Sequence, residues 1–401
     1  MFDILIVGGG FAGVWSAMAA ARLAQQEGKD LTIGLVAPGD DLVIRPRLYQ
    51  TDPGAMRVPL ERVLRPIGVH RLAAVATAID PVGKEVTITG NDGRTRALRY
   101  QRLILATGSA LRRPGLPGAQ YLHDIDTLSG AVALDTHLRT LPSGQAGPGQ
   151  FSAVVVGAGF TGLEVATELA GRLRAQAGTA AEEVRVILVE KGAVPAPDLG
   201  DAPRPTITAA LHELGIETRV NASLTEVHPE HVRLTDGTEL PARTVVWTAG
   251  MIASPLTGYL PGRHDQLGRL LVDQHLRVPE CPDIFAAGDT AAADAGNDRF
   301  TLQSCQHAIP LGKHAGHNAA ADLLHQPAIA FTAEPYATCL DLGAAGAVLT
   351  MGWERTVKVT GKQAKEIKRA INEQRIYPPV DDADAILGAA DPAYTWTTPA
   401  A

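Results

Sequence analysis

The chain has 401 residues, enough for two or three domains with separate cores; 45% are apolar and 20% charged, the balance of an ordinary globular protein. With 43 acidic against 36 basic side chains and a net charge of −7, it lacks the basic footprint that nucleic acid or anionic lipid would attract. Cys281, Cys305 and Cys339 are far apart and form no C-x-x-C or zinc-type spacing, so neither a disulfide framework nor a metal site is expected, and a reducing compartment fits.

The N-terminal run "MFDILIVGGGFAGVWSAMAAARL" is apolar, but it lacks a basic leader and Asp3 interrupts it, so it reads as a first strand and helix. No apolar run reaches the roughly 18 residues that a membrane-spanning helix needs. The strand Ile4-Leu5-Ile6-Val7 leads into Gly8-Gly9-Gly10-Phe11-Ala12-Gly13 and an alanine-rich helix. A second strand over residues 31–36 ends in Ala37-Pro38. Residues 142–150, rich in Gly and Pro, read as a linker. The pattern then repeats: Val154-Val155-Val156, then Gly157-Ala158-Gly159-Phe160-Thr161-Gly162, a helix, and a strand over 184–189 that ends in Glu190. Short β patterns follow, with a hairpin turn at Asp236-Gly237. Next come a strand over 283–289, a long helix over 306–324 and further β patterns in "YATCLDLGAAGAVLTMG". A basic helix carries Lys358, Lys362, Lys365, Lys368 and Arg369 beside a thin apolar stripe, Ile367 and Ile371; its basic face is expected to be solvated. The terminus is rich in Pro and Asp.

The expected fold is α/β: two Rossmann-like dinucleotide-binding domains, the second inserted in the first, plus a small C-terminal α+β domain. The expected boundaries are 1–115 and 246–326 for the first domain, 116–245 for the insert and 327–401 for the C-terminal domain.

Each G-x-G-x-x-G has a mechanical meaning. Gly8 and Gly157 permit a tight turn, Gly10 and Gly159 let backbone approach a pyrophosphate, and Gly13 and Gly162 allow close packing of helix on strand. The helix N-terminus then offers free N–H groups to phosphate. One such motif is weak; two, each between a Val/Ile strand and an Ala-rich helix, are strong. Glu190 stands where a carboxylate can hold a ribose 2′-hydroxyl and repel a 2′-phosphate, which favours NADH over NADPH, although Lys191 beside it would tolerate the phosphate. At the first site the equivalent acid is missing. Asp40, Asp41 or water is left to reach the ribose there, and the two aspartates can equally be solvated turn residues.

These motifs resemble the flavin- and pyridine-nucleotide-dependent oxidoreductases with two dinucleotide folds, in particular type II NADH dehydrogenases and their soluble relatives. "RLILATGS" is similar to the family's crossover strand, which implies that Ala106, Thr107 and Gly108 lie along FAD. "DIFAAGDTAA" is similar to its second flavin fingerprint, which implies that Gly288 and Asp289 meet the ribityl chain. "RPRLYQ", with Arg45, resembles the segment beside the flavin ring. The resemblance implies that Glu164, in "GLE", orients NADH or relays protons, and that Gln306 belongs to an acceptor site. Pro310 stands where the family carries a second glutamine, a departure that puts quinone in question. His307, His314 and His317 read as packed or solvated side chains rather than metal ligands.

The expectation is an enzyme: an FAD-dependent NADH oxidoreductase that moves hydride to FAD and electrons on to a quinone or similar small acceptor. The alternatives are a flavin reductase serving an iron–sulfur protein, an NADH-sensing flavoprotein, and a specialised biosynthetic flavoenzyme. The expected location is the cytoplasm, with peripheral contact at the inner face of a membrane allowed, no integral anchor, no nucleic-acid partner, and a homodimer allowed.

Overall fold

Alternating side chains build the first sheet. Along Phe2–Val7, Ile4 and Ile6 face one side and Leu5 and Val7 the other, and all four are buried. In the computed structural model, which describes residues 1–144 and 146–393, this strand lies at the centre of a parallel array. Ile4 pairs with Ile33 of Ile33–Ala37, and Leu5 with Leu103 of Thr95–Leu105. Cys281–Ala286 extends the array in parallel, Phe285 opposite Ile104, and Arg277–Val278 closes the edge antiparallel. Gln145 of the expected linker and the tail from residue 394 lie outside the described residues.

The strand His70–Asp80 begins parallel to Ile33–Ala37 and then leaves it for an antiparallel meander with Glu85–Gly90 and the first half of Thr95–Leu105. Val86 and Ile88 of this meander cover the Leu5 and Val7 face. Helices Phe11–Gln26 and Cys305–Leu324 cover the opposite face. They meet backbone to backbone: a Cβ on Gly316 would stand 2.1 Å from the Ser16 carbonyl oxygen, and the Ser16 hydroxyl donates to the Gly312 carbonyl at 3.0 Å.

A second parallel sheet runs in the order Ile216–Arg219, Arg185–Val189, Ser152–Val156, Thr244–Trp247. One face packs on helix Phe160–Ala177, and the other on the small antiparallel sheet of Leu224–Val227, His231–Leu234 and Glu239–Pro241. A third, antiparallel sheet of Ala337–Asp341, Ala347–Met351 and Thr356–Thr360 leads into helix Gly361–Ala370. The architecture is α/β with a large mixed sheet. Where composition suggested only an irregular acidic terminus, the chain forms a further helix, Ala383–Ala389. Asp382 caps it by accepting from the Ala385 N–H, and Ile386 and Leu387 are buried. Among the described residues no helix is long and apolar enough to cross a membrane.

Candidate functional site

The first glycine turn connects the central strand to helix Phe11–Gln26. Gly8 takes φ +121°, and a Cβ there would lie 2.1 Å from the Ala106 carbonyl oxygen, so only glycine fits. A Cβ on Gly13 would lie 1.9 Å from the Gly8 oxygen, whereas one on Gly10 meets nothing within 4 Å. Two glycines therefore close the turn and the third faces open space at a helix N-terminus. A cavity of about 490 Å³ opens here, lined by Gly8, Gly9, Val36, Pro38, Ala74 and Thr107 among others. The Thr107 hydroxyl is buried and has no hydrogen-bond partner among the described residues. An elongated diphosphate ligand fits such a cradle: it would satisfy the orphaned hydroxyl and the free N–H groups. Ala37, at the strand end, is buried and contributes no polar group. Asp40 pairs with Arg71, and Asp41 with Arg57 at 3.1 Å. Both aspartates are thus engaged on the flank rather than held at the cavity.

After the strand that carries Thr107, four segments converge. Asp289, in the turn Gly288–Thr290, accepts from the Ser109 hydroxyl at 2.6 Å and lies 3.6 Å from Arg45 Nη1. Arg45 donates to Ser109 Oγ at 3.1 Å and pairs with Asp126. Burial raises the pKa of Asp289, while Ser109 and Arg45 pull it back. Ala106 continues the sheet by donating its N–H to Val7, and Gly108 turns the chain at φ +70°.

The second glycine turn repeats the geometry of the first. Gly157 has φ +100°, a Cβ on Gly162 would stand 1.8 Å from the Gly157 oxygen, and the nearest atom to a Cβ on Gly159 is 3.8 Å away, in Asp198. Glu190 is buried rather than solvated. Its carboxylate accepts from the Ala158 N–H at 2.8 Å and the Gly192 N–H at 2.7 Å, which fixes it beside the turn. Lys191, next in the chain, is exposed, and Arg219 on the neighbouring strand donates to Glu217 at 2.5 Å.

Glu164 lies in the first turns of helix Phe160–Ala177 and is buried. Its Oε1 is 2.8 Å from Lys368 Nζ and accepts from the Asp341 N–H at 3.1 Å. The Asp341 carboxylate in turn accepts from the Tyr49 hydroxyl at 2.9 Å and pairs with Lys365. Burial pushes the Glu164 pKa up to about 7 even though Lys368 pulls it down. Burial alone would lower the pKa of Lys368, but the charge and hydrogen bond of Glu164 outweigh it and raise it. The site therefore contains a buried carboxyl–ammonium pair whose carboxyl group is pushed above the usual carboxylate range.

This cluster corrects the reading of the basic helix. Lys362 and Arg369 are exposed, but Lys368 is buried against Glu164. Its signal was present: Lys368 follows Ala364 by one helical turn and adjoins Ile367 on the buried stripe. Tyr49, Asp341, Lys365 and Asn372 carried no such signal, because only the tertiary fold brings them together. The Gln306 side-chain amide spans the backbone of Ala337, donating to its carbonyl at 2.6 Å and accepting from its N–H at 3.2 Å. Pro310 sits inside helix Cys305–Leu324 and withholds the N–H that would otherwise reach the Gln306 carbonyl. His307, His314 and His317 are buried side chains; the first stacks on Tyr336 and the second bonds the Pro310 carbonyl. No group of three metal-ligating side chains occurs among the described residues.

Residues 2–312 match the family described as pyridine nucleotide-disulphide oxidoreductase. An NADH dehydrogenase-like protein of Mycobacterium tuberculosis is 45% identical over 400 residues, covering 98% of each chain. A demethylphylloquinone reductase of Synechocystis is 28% identical over 378 residues, 92% of this chain and 90% of that one. The solved structure of NDH2 from Plasmodium falciparum in complex with NADH superposes with a TM-score of 0.80 at 13% identity, covering 97% of this chain and 96% of that one. The chain is an enzyme, an oxidoreductase, and belongs to the pyridine nucleotide-disulphide oxidoreductase family.

Proposed function

We propose that the protein is an FAD-dependent NADH oxidoreductase that delivers electrons to a quinone. The observation that carries this reading is the pair of glycine turns. In each, the first and last glycines close the fold and the middle one leaves a phosphate-sized approach open. One turn borders a cavity with an orphaned hydroxyl, and the other is flanked by a fixed carboxylate. In this reading Gly8, Gly10, Gly13, Ala106, Thr107, Gly108, Gly288, Asp289 and Arg45 hold FAD, which when bound supplies a two-electron store between hydride donor and acceptor.

Gly157, Gly159 and Gly162 cradle the NADH pyrophosphate, and Glu190 accepts from the adenosine ribose. With Glu190 locked beside the turn, a 2′-phosphate would meet a buried carboxylate, so NADH is preferred to NADPH, with the exposed Lys191 beside it working against that preference. Glu164, its pKa pushed up to about 7 by burial, exchanges its proton near neutral pH and gives one up when the acceptor is reduced. Gln306, bonded at both amide atoms to Ala337, positions the helix N-terminus against the C-terminal sheet. The similarity to a demethylphylloquinone reductase and to NADH dehydrogenase-like proteins favours a quinone, and the three free cysteines fit a cytoplasmic setting.

The test is a panel of acceptors under anaerobic conditions with NADH in excess. Naphthoquinones or benzoquinones are expected to turn over steadily; a protein that reduces none of them, but reduces an iron–sulfur protein, would overturn the quinone assignment.

A further inference from the structure

A pyrophosphate at the second glycine turn brings negative charge to a segment, residues 157–162, that has no basic side chain. The neighbouring loop adds to the imbalance. The Ala196 N–H donates to the Ala158 carbonyl at 3.0 Å, which pins the loop on the turn. Asp198, two residues on, puts a carboxylate oxygen 3.8 Å from where a Gly159 Cβ would stand, so it flanks the approach that the middle glycine leaves open. Of the cations around this loop, Lys191 is exposed, and Arg204 is taken up by Asp201 and by the Pro195 carbonyl at 3.2 Å.

Another cation reaches the same loop from the C-terminal sheet. Gly343, just after Ala337–Asp341, lies so close to helix Phe160–Ala177 that its Cβ would stand 2.6 Å from the Thr167 carbonyl oxygen. Further along the sheet, Arg355 stands in the hairpin between Ala347–Met351 and Thr356–Thr360. It is 6% exposed, and its Cγ lies 3.9 Å from where a Gly200 Cβ would stand. The guanidinium carbon is 4.7 Å from the centroid of the Tyr336 ring and 5.9 Å from that of Trp353. Nη1 is buried and has no hydrogen-bond partner among the described residues. Burial lowers the Arg355 pKa, and the charge of Asp198 works against that. A dry guanidinium with an unused donor is a standing cost that an arriving anion removes.

Resting on the NADH reading of the second turn, we propose that Arg355 is the cation that meets the NADH pyrophosphate, and that Asp198 opposes it there. The C-terminal sheet thereby supplies the charge that the glycine turn lacks. The same contact favours a dinucleotide over a nicotinamide nucleoside without phosphate. Arg355 binds the coenzyme and takes no part in the hydride transfer itself.

Two measurements test this on wild type, Arg355→Met, Arg355→Lys and Asp198→Asn. One is calorimetric titration with ADP-ribose, which has the pyrophosphate and no nicotinamide. The other is anaerobic stopped-flow bleaching of the flavin-loaded protein by NADH and by dihydronicotinamide riboside, which has no phosphate. Arg355→Met should weaken ADP-ribose, and raise the NADH concentration for half-maximal bleaching, by about 10-fold to 100-fold, the scale of a lost hydrogen bond to a charged group. Bleaching by the riboside should stay within about 2-fold of wild type. Arg355→Lys keeps the charge and loses the planar fork, so its ADP-ribose affinity should fall between the two, a reading that stands even where the methionine chain fails to fold. Asp198→Asn, at an exposed position, should tighten ADP-ribose by about 2-fold or more, a gain that fades in high salt. Wild-type ADP-ribose affinity in the Arg355 variants, or an equal loss with NADH and the riboside, would overturn the assignment and leave the NADH reading standing. A wild-type protein that ADP-ribose does not bind and NADH does not bleach would overturn both.

Discussion

Gly10 shows how one residue separates folding from binding. Its added Cβ would meet nothing within 4 Å, so a side chain there starts without a clash and fills the space beside the helix N-terminus. Gly10→Val is expected to fold with a melting temperature close to that of flavin-free wild type and to purify colourless; absorbance near 450 nm, ~1 flavin per chain in wild type, checks it. Glu164 sets the second residue-scale expectation. Burial holds its pKa at about 7, above the usual carboxylate range, so the proton is present below that pH and lost above it. Quinone reduction should therefore fall as pH rises through about 7, and Glu164→Gln should be slow and lack that inflection. Glu190 was legible because it ends the strand that follows a glycine turn, and Glu164 only through the resemblance of "GLE" to the family. Lys368 was half legible, as a charge on an apolar stripe. Tyr49, Asp341 and Asn372 were not legible at all, since a hydroxyl, a carboxylate and an amide bond one another only after distant segments have packed.

At the scale of elements, the helix pair Phe11–Gln26 and Cys305–Leu324 decides how rigidly the first glycine turn is held. The contact depends on small residues: Gly312 and Gly316 lie against the carbonyls of Ala12 and Ser16. Gly316→Ala would drive a methyl to 2.1 Å from the Ser16 oxygen. It is expected to destabilise by about 1–3 kcal/mol despite alanine's better helix propensity. Gly171→Ala, in helix Phe160–Ala177 where a Cβ meets nothing within 4 Å, should be neutral or slightly stabilising. Thermal melts of the two variants by circular dichroism compare them directly. The elements themselves were largely legible, because period-two strands and glycine punctuation leave strong local signals. The strand expected at 31–36 occupies Ile33–Ala37, and the helix expected at 306–324 occupies Cys305–Leu324. The helix Ala383–Ala389 was missed: within an acidic, proline-rich stretch, its few apolar residues acquire a helical face only through contact with the body of the protein.

For the whole molecule, the important relation is among three sheets. The large sheet carries one glycine turn, the four-stranded parallel sheet carries the other, and the C-terminal sheet and helix bring Lys368, Asp341 and Lys365 onto Glu164. The C-terminal segment thus completes the site instead of merely capping the fold, a relation that residue order alone does not disclose. Gln306 is tied to this same segment through the backbone of Ala337. The central claim is that both turns serve one two-electron exchange. Anaerobic titration of the purified protein with NADH, followed by its visible spectrum, tests this most directly. A yellow protein whose flavin band is bleached by about one NADH per flavin is expected; a protein that carries no flavin, or whose flavin band is unchanged by excess NADH, would rule out a shared two-electron exchange.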